Sequence, residues 1–158
     1  MASILKNLSS YSAKNLIEIA HKKFAIVVAE WNEEITAALL EGAKKTLLAE
    51  GAQESNILVK TVPGSFELSL GAQWMAQQAN VDAVICIGCI IQGETRHFDF
   101  IAQAVAQGIT EVSLKYNKPV IFGVLTPNTL EQAQDRAGGK LGNKGDEAAA
   151  TAIKMLGF

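Results

Sequence analysis

The chain has 158 residues and is 49% hydrophobic, so it can bury one sizeable core and suits one compact domain better than two. Its 14 Lys and Arg residues nearly balance 16 Asp and Glu residues, so no long-range field favours nucleic acid or an anionic membrane surface as a partner. The longest apolar run, 83–91, is too short to span a bilayer, and no secretory leader is recognisable. We therefore expect a soluble cytoplasmic protein.

Residues 1–23 are of mixed composition and weakly periodic. They form either an arm that packs on a neighbouring molecule or a partly disordered segment, and the sequence does not decide between the two. We treat 1–23 as an N-terminal arm and 24–158 as a single domain, because no repeat, low-complexity tract or long linker divides the remainder.

From residue 24 onward, strand-like and helix-like segments alternate. The strand-like segments are rich in Val and Ile, as in a parallel sheet that is buried on both faces, and the helix-like segments place apolar residues near one face. In chain order the pattern predicts strand 24–30, helix 33–50, strand 57–62, helix 66–79, strand 83–91, helix 98–116, strand 119–125, helix 129–137 and helix 144–156. This order predicts a three-layer α/β/α sandwich around a four-stranded parallel sheet.

The only two cysteines, Cys86 and Cys89, are spaced as C-x-x-C, a pattern found in redox and metal sites. Both lie in the third predicted strand, where residues three apart point to opposite faces. The sequence offers no second cysteine pair or histidine cluster to complete four zinc ligands. We therefore interpret both thiols as small buried hydrophobes.

Four loops follow the carboxyl ends of the predicted strands, where ligands bind in open parallel sheets. Three of them collect residue types that recognise small polar aromatic molecules: aromatic rings to stack, and an amide and a carboxylate to pair with hydroxyls or ring nitrogens. The four loops are 30–32, 63–67, 92–97 and 126–128.

The loop 92–97 is the most suggestive of the four. Gly93 permits an unusual backbone turn, Thr95 offers a hydroxyl, and the following helix presents free backbone N–H groups to an anion such as phosphate. His97 stands at the start of that helix, and imidazole is the side chain best suited to move protons near neutral pH. The alternative is that His97 only caps or packs the helix.

A glycine-rich segment further along carries Arg136, Lys140 and Lys144, and its glycines would let the backbone approach a ligand closely. The alternative is a flexible, solvated link between two helices. No Walker phosphate loop, dinucleotide fingerprint, nucleophile elbow or H-E-x-x-H zinc motif is present. What remains is chemistry that needs a proton-transfer group and an anion-binding group, with no protein nucleophile and no metal.

Four blocks match one family in order and spacing. They are VPGSFE at 62–67, GxxIxGETxHFDF around 88–100, FGVLTPNTLEQAxxRAG at 122–138 and GNKGDEAA at 142–149. The chain thereby resembles the lumazine synthases of riboflavin biosynthesis from about residue 24 to 156. The resemblance implies a flavodoxin-like strand order, with room for an added N-terminal edge strand.

The resemblance also implies an activity. It is the cofactor-free and metal-free condensation of 5-amino-6-(D-ribitylamino)uracil with 3,4-dihydroxy-2-butanone 4-phosphate, which releases phosphate and water and closes the lumazine ring. The implied protein is a transferase and a homo-oligomer, either a pentamer, a pair of pentamers or an icosahedral capsid of pentamers, with active sites shared between adjacent subunits. The segment 138–145 lacks a long insertion, which favours the capsid.

Residue by residue, the resemblance implies that Trp31 stacks on the pyrimidine and that His97 shuttles protons. The other matching positions are those that hold the ribityl chain (Asn32, Ser65, Phe66, Glu67), line the heterocycle (Ile90, Ile91), form the phosphate loop (Glu94, Thr95) and come from the neighbouring subunit (Phe122, Lys144, and Arg136 on the phosphate). For Glu147 such a role stays open, since solvation of its helix explains it equally well.

Two positions depart from the typical family sequence. Arg96 occupies a position often filled by Pro or Thr and adds a positive charge beside the phosphate loop. Asp146 stands where apolar residues are frequent. Both bear on substrate affinity and packing rather than on the reaction.

Two other functions are compatible with this architecture. One is an archaeal-type riboflavin synthase, which would dismutate the lumazine instead of making it. The other is a non-catalytic flavin- or lumazine-binding shell protein, whose mark would be the loss of His97 or Arg136. Both residues are present, and so is the pair Phe66-Glu67, which favours the condensing enzyme.

Overall fold

A computed structural model describes residues 17–158. Most of the predicted N-terminal arm, and any edge strand formed by 1–16, lies outside the described residues. Within the described part of that arm, Ile19 is buried in the core and Ile17 packs against it.

Strands and helices alternate through most of the described chain, as the apolar pattern predicts. A short 3₁₀ turn precedes β2 at Glu54–Asn56, and another precedes α2 at Ser65–Glu67. In chain order the elements are β1 Phe24–Ala29, α1 Glu33–Ala49, β2 Ile57–Val62, α2 Leu68–Ala76, β3 Ala83–Cys89, α3 His97–Tyr116, β4 Val120–Leu125, α4 Leu130–Arg136, β5 Ala137–Gly139, β6 Gly142–Asn143 and α5 Lys144–Leu156.

The four long strands form one parallel sheet in the order β2-β1-β3-β4. Every residue of the central strands β1 and β3 is buried, which is why their sequences are continuously apolar. The edge strand β2 exposes Lys60 and Thr61, and the opposite edge strand β4 exposes Phe122. The four-stranded parallel sheet of flavodoxin-like order is confirmed.

Helices cover both faces of the sheet, so the three-layer sandwich is confirmed. One core lies between the sheet and the helices α1 and α5, and includes Phe24, Ile26 and Ile85. The second lies under α2 and α3 and includes the alternate strand residues, such as Val27. Cys86 belongs to the second core and Cys89 to the first, so the two thiols lie on opposite faces of the sheet as predicted.

Two segments differ from the sequence prediction. The helix predicted for 66–79 begins as the 3₁₀ turn and continues as α2 only to Ala76. The glycine-rich segment between α4 and α5 is a short antiparallel hairpin, β5–β6, rather than an irregular link. Gly138 and Gly142 adopt φ values of 109° and 79°, which residues with a Cβ rarely do, so the glycines are needed for this turn.

Candidate active site

The loop after β1 is tied to the loop after β2 by backbone hydrogen bonds. The N–H of Glu30 donates to the carbonyl of Val62 at 2.9 Å, and the N–H of Trp31 donates to that of Pro63 at 3.2 Å. The Trp31 side chain is 74% exposed at this junction. A large exposed aromatic ring at the carboxyl edge of a parallel sheet is available to stack on a ligand.

Asn32 connects the same loop to the end of β3. Its backbone is left-handed, with φ 60° and ψ 47°, and its carbonyl accepts the N–H groups of Ile35 and Thr36 at the start of α1. Its side-chain Nδ2 donates to the carbonyl of Cys89 at 2.9 Å. Because the NH₂ group has this partner, the carboxamide oxygen Oδ1 is the group that a ligand hydroxyl can use.

The turn after β2 presents Ser65, Phe66 and Glu67. Glu67 accepts the N–H of Gly64 through Oε2 at 3.0 Å, which leaves Oε1 for a ligand, and the Phe66 ring is 56% exposed. Ser65 is buried, and its hydroxyl has no hydrogen-bond partner among the described residues. A Cβ at Gly88 would lie 2.6 Å from this hydroxyl, so the close fit of the turn against β3 requires glycine there.

The loop after β3 continues along the loop after β4 before it turns away. Ile90 donates its N–H to Leu125 and Gln92 donates its N–H to Pro127, at 2.8 and 2.9 Å. Ile91, which lines the same stretch, packs against the core under α1 and α5, and Ile90 packs against the other core.

The remainder of this loop is exposed and leads into α3. Glu94 and Thr95 are exposed, and the Thr95 hydroxyl accepts the N–H of His97 at a long 3.4 Å. His97 is the first residue of the 20-residue helix α3 and is exposed. The structure thus places His97 and the candidate anion loop at the same sheet edge as Trp31, Asn32 and the Ser65 turn.

The remaining candidates line a cleft of about 980 Å³ along β4. Phe122, 41% exposed, forms one wall, and Arg136 donates to the carbonyl of Gln132 at 2.9 Å. Lys144 pairs with Glu147 across one turn of α5, and both side chains are mostly buried. The buried Oε1 of Glu147 has no hydrogen-bond partner among residues 17–158.

Two groups of candidate residues therefore exist in one chain. We call them the His97 group and the Arg136 group. The cleft lining includes no member of the first group. The His97 group consists of Trp31, Asn32, Ser65, Phe66, Glu67, Ile90, Ile91, Glu94, Thr95 and His97, and the Arg136 group of Phe122, Arg136, Lys144 and Glu147.

Glu147, whose role the sequence leaves open, lines the cleft and pairs with Lys144. The Lys144–Glu147 spacing of three residues on one helix is the signal that pairs them. Asp146, next to this pair, lies against Gly42 of α1. Burial raises the pKa of Asp146, while the charge of Lys45 lowers it and that of Glu147 raises it.

Within residues 17–158, no group of three or more His, Cys, Asp or Glu side chains is arranged to hold a metal ion. No helix in the described part of the chain is long and apolar enough to cross a membrane.

Fold and site together define a three-layer α/β protein whose sheet edge carries exposed aromatic, amide and carboxylate groups, with Arg136 and Lys144 in a cleft along β4. The family model described as 6,7-dimethyl-8-ribityllumazine synthase matches residues 21–158. The chain belongs to this family, which confirms the resemblance carried by its four sequence blocks.

Relatives that carry this name extend over nearly all of the chain. The protein of Cytophaga hutchinsonii is 66% identical over 156 residues, which is 99% of this chain and 98% of the relative. That of Bacteroides fragilis is 60% identical over 136 residues, 86% of this chain and 95% of the relative. That of Parabacteroides distasonis is 52% identical over 158 residues, 100% of this chain and 99% of the relative.

Proposed function

We propose that this protein is a transferase that condenses 5-amino-6-(D-ribitylamino)uracil with 3,4-dihydroxy-2-butanone 4-phosphate in riboflavin biosynthesis. The product is 6,7-dimethyl-8-ribityllumazine, and phosphate and water are released. The observation that carries the proposal is full-length similarity to relatives of that name, combined with retention of His97 and Arg136 in the described fold. The same names argue against the archaeal-type riboflavin synthase and the non-catalytic shell protein.

The His97 group would bind the pyrimidine substrate. Trp31 stacks on the ring, Ile90 and Ile91 line it, and the ribityl hydroxyls meet the Ser65 turn. The free Oδ1 of Asn32 and the free Oε1 of Glu67 accept hydrogen bonds from ribityl hydroxyls, because their other atoms are already bonded within the chain.

Three steps require proton transfer, and the second also requires charge neutralisation. The amine of the pyrimidine attacks the ketone and loses water to form an imine. The phosphate then leaves with the electrons of its C–O bond as the neighbouring hydroxyl-bearing carbon loses its proton, which converts that carbon into a ketone. The ribitylamino nitrogen attacks this ketone and a second water leaves, which closes the ring. His97 moves protons in these steps, the loop with Glu94 and Thr95 receives the phosphate, and the Arg136 guanidinium donates two parallel hydrogen bonds to it. Holding both substrates in contact supplies much of the rate, and no cofactor is needed.

The absence of every His97-group residue from the lining of the Arg136 cleft supports a site shared between copies of the chain. Phe66, Trp31 and Phe122 are all exposed aromatic rings, which a neighbouring copy would cover. We therefore propose a homo-oligomeric ring, a pentamer or an assembly of pentamers, in which the Arg136 group of one subunit faces the His97 group of the next. A cytoplasmic location, the extent of the N-terminal arm and the size of the assembly stay predictions.

The activity is tested by incubating the pure protein with both substrates and following lumazine absorbance or fluorescence. We expect lumazine to form only when both substrates are present, with one phosphate released per lumazine. Conversion of added lumazine to riboflavin would instead identify a riboflavin synthase. Lumazine binding without turnover would identify a non-catalytic protein.

A further inference from the structure

We infer that Arg96 is a second phosphate-binding cation of the shared site, donated by the subunit that donates His97. The inference rests on the proposed function, because it concerns the phosphate of the proposed butanone substrate. Arg136 and Arg96 then bind the same phosphate from the two sides of the subunit interface.

The segments that carry the His97 group contain many more negative charges than positive ones. The three segments that carry this group are 30–36, 63–68 and 90–100, and Arg96 is the only Lys or Arg in them. The same segments carry the carboxylates of Glu30, Glu33, Glu34, Glu67, Glu94 and Asp99. A phosphate dianion that approaches this acidic edge is repelled unless a local positive charge compensates.

The Arg96 side chain is free to serve this purpose. It is 82% exposed, its Nε lies 3.9 Å from the Asp99 carboxylate, and its Cζ lies 5.5 Å from the centre of the Phe100 ring. It donates no hydrogen bond to the described residues. An exposed ion pair of this length is worth about 1 kcal/mol or less, so a dianion can displace Asp99 as the partner.

The adjoining backbone offers further donors for an anion. The N–H groups of Glu94, Thr95 and Arg96 donate to none of the described residues, and α3 begins immediately after them. A guanidinium beside these N–H groups adds a full charge and a planar pair of donors that fits a phosphate. The guanidinium lies over Phe100 in the first turn of α3, which follows the loop directly.

The test compares Arg96→Gln and Arg96→Lys with the wild type in steady-state kinetics in which each substrate is varied in turn. Lys115→Gln is the matched control, since Lys115 is a cation in the last turn of the same helix, about 30 Å away along its axis. Thermal unfolding and gel filtration confirm that every variant folds and assembles as the wild type does.

We expect Arg96→Gln to raise the KM for the butanone phosphate about tenfold, which is the loss of one charge-assisted contact, and to leave the KM for the pyrimidine within about twofold. The KM of Arg96→Lys for the butanone phosphate should lie between those of Arg96→Gln and the wild type. In each variant, the inhibition constant for inorganic phosphate should rise by the same factor as this KM. Lys115→Gln should behave as the wild type.

Equal KM values in Arg96→Gln and the wild type would overturn the inference. So would restoration of the wild-type KM in the double variant Arg96→Gln, Asp99→Asn, because Arg96 would then only neutralise Asp99. If the wild type forms no lumazine, the proposed function fails separately. Calorimetric titration with inorganic phosphate then decides on Arg96, and equal affinities in wild type and Arg96→Gln would contradict its role.

Discussion

His97 is exposed at the first turn of α3, where its imidazole can reach a substrate held by the loop after β3. We predict that His97→Ala lowers kcat by about ten- to a thousandfold, the range expected for the loss of a general acid–base group, with a smaller change in product binding. His21→Ala, which alters the other histidine at an exposed position, is the control. Wild-type turnover of His97→Ala across the pH range would remove His97 from the mechanism.

Arg136 is held in its cleft by the bond to the Gln132 carbonyl, which orients the guanidinium before any ligand binds. We predict that Arg136→Ala raises the KM for the butanone phosphate far more than that for the pyrimidine, at a cost of about 2 kcal/mol or more in transition-state binding. Lys140→Ala removes an exposed cation of the same glycine-rich segment and should leave the KM values for both substrates unchanged. Equal effects of Arg136→Ala on both substrates would indicate a general structural role.

Both cysteines are buried, and burial raises the pKa of Cys86 to about 12 and that of Cys89 to about 11, from an ordinary value of 9.0. Since the thiolate is the reactive form, neither thiol should be alkylated by iodoacetamide in the folded protein at pH 8, while both should react in urea.

The same raised pKa values of Cys86 and Cys89 make stability depend on pH. They favour folding at pH below about 9, and this contribution is lost as the pH rises towards 11 and 12. Mass spectrometry and urea unfolding at pH 8 to 10.5 check both statements, and rapid alkylation of the native protein would contradict them.

At the level of elements, the contact between α1 and α5 fixes where the Arg136 group stands. Asn143 accepts the N–H of Gly145 at 2.7 Å and donates to the carbonyl of Ala38 at 2.9 Å, so it caps α5 and joins it to α1. The approach is so close that a Cβ at Gly145 would collide with the backbone carbonyl of Leu39. The positions of Lys144 and Glu147, in the first turn of α5, therefore depend on how α5 packs against α1.

We therefore predict that Gly145→Ala lowers the free energy of unfolding by about 1 to 3 kcal/mol, because backbone atoms of α1 must move. Gly93→Ala is the control: unlike Gly138 and Gly142, Gly93 has no positive φ, so the unusual turn expected there is not found, and a Cβ meets nothing within 4 Å. The control should change stability by about 0.5 kcal/mol or less. Urea unfolding measures both. A Gly145→Ala variant as stable as the control would mean that α5 can shift without cost.

Much of the element order could be predicted from the sequence, because β1 and β3 are apolar at every residue and the helices between them are amphipathic. The β5–β6 hairpin could not, since its glycines carry no side chains from which a pattern could be seen. The candidate residues follow from the rule that ligands bind at the carboxyl edge of a parallel sheet. The bond from Asn32 to Cys89 and the unpartnered hydroxyl of Ser65 depend on distances between remote segments, which no local pattern encodes.

For the whole molecule, the separate positions of the two groups predict complementation between inactive chains. His97→Ala and Arg136→Ala subunits, unfolded together and reassembled at equal ratio, should recover about a quarter of wild-type activity. About a quarter of the heterologous interfaces then combine the intact His97 group of one chain with the intact Arg136 group of the other. Native mass spectrometry verifies that mixed rings form. Mixed rings with no more activity than the parents would place both residues in the same subunit's site.

The cleft along β4 also has a consequence for gene dosage. In such a ring each chain lends its sheet edge to one site and its cleft to another, so a chain defective in both groups spoils two sites while a chain defective in one spoils a single site. When a doubly defective allele is expressed beside a normal one, the working fraction of sites falls as the square of the normal share. At equal expression about a quarter of the sites then work, against about half when the second allele carries only one of the substitutions.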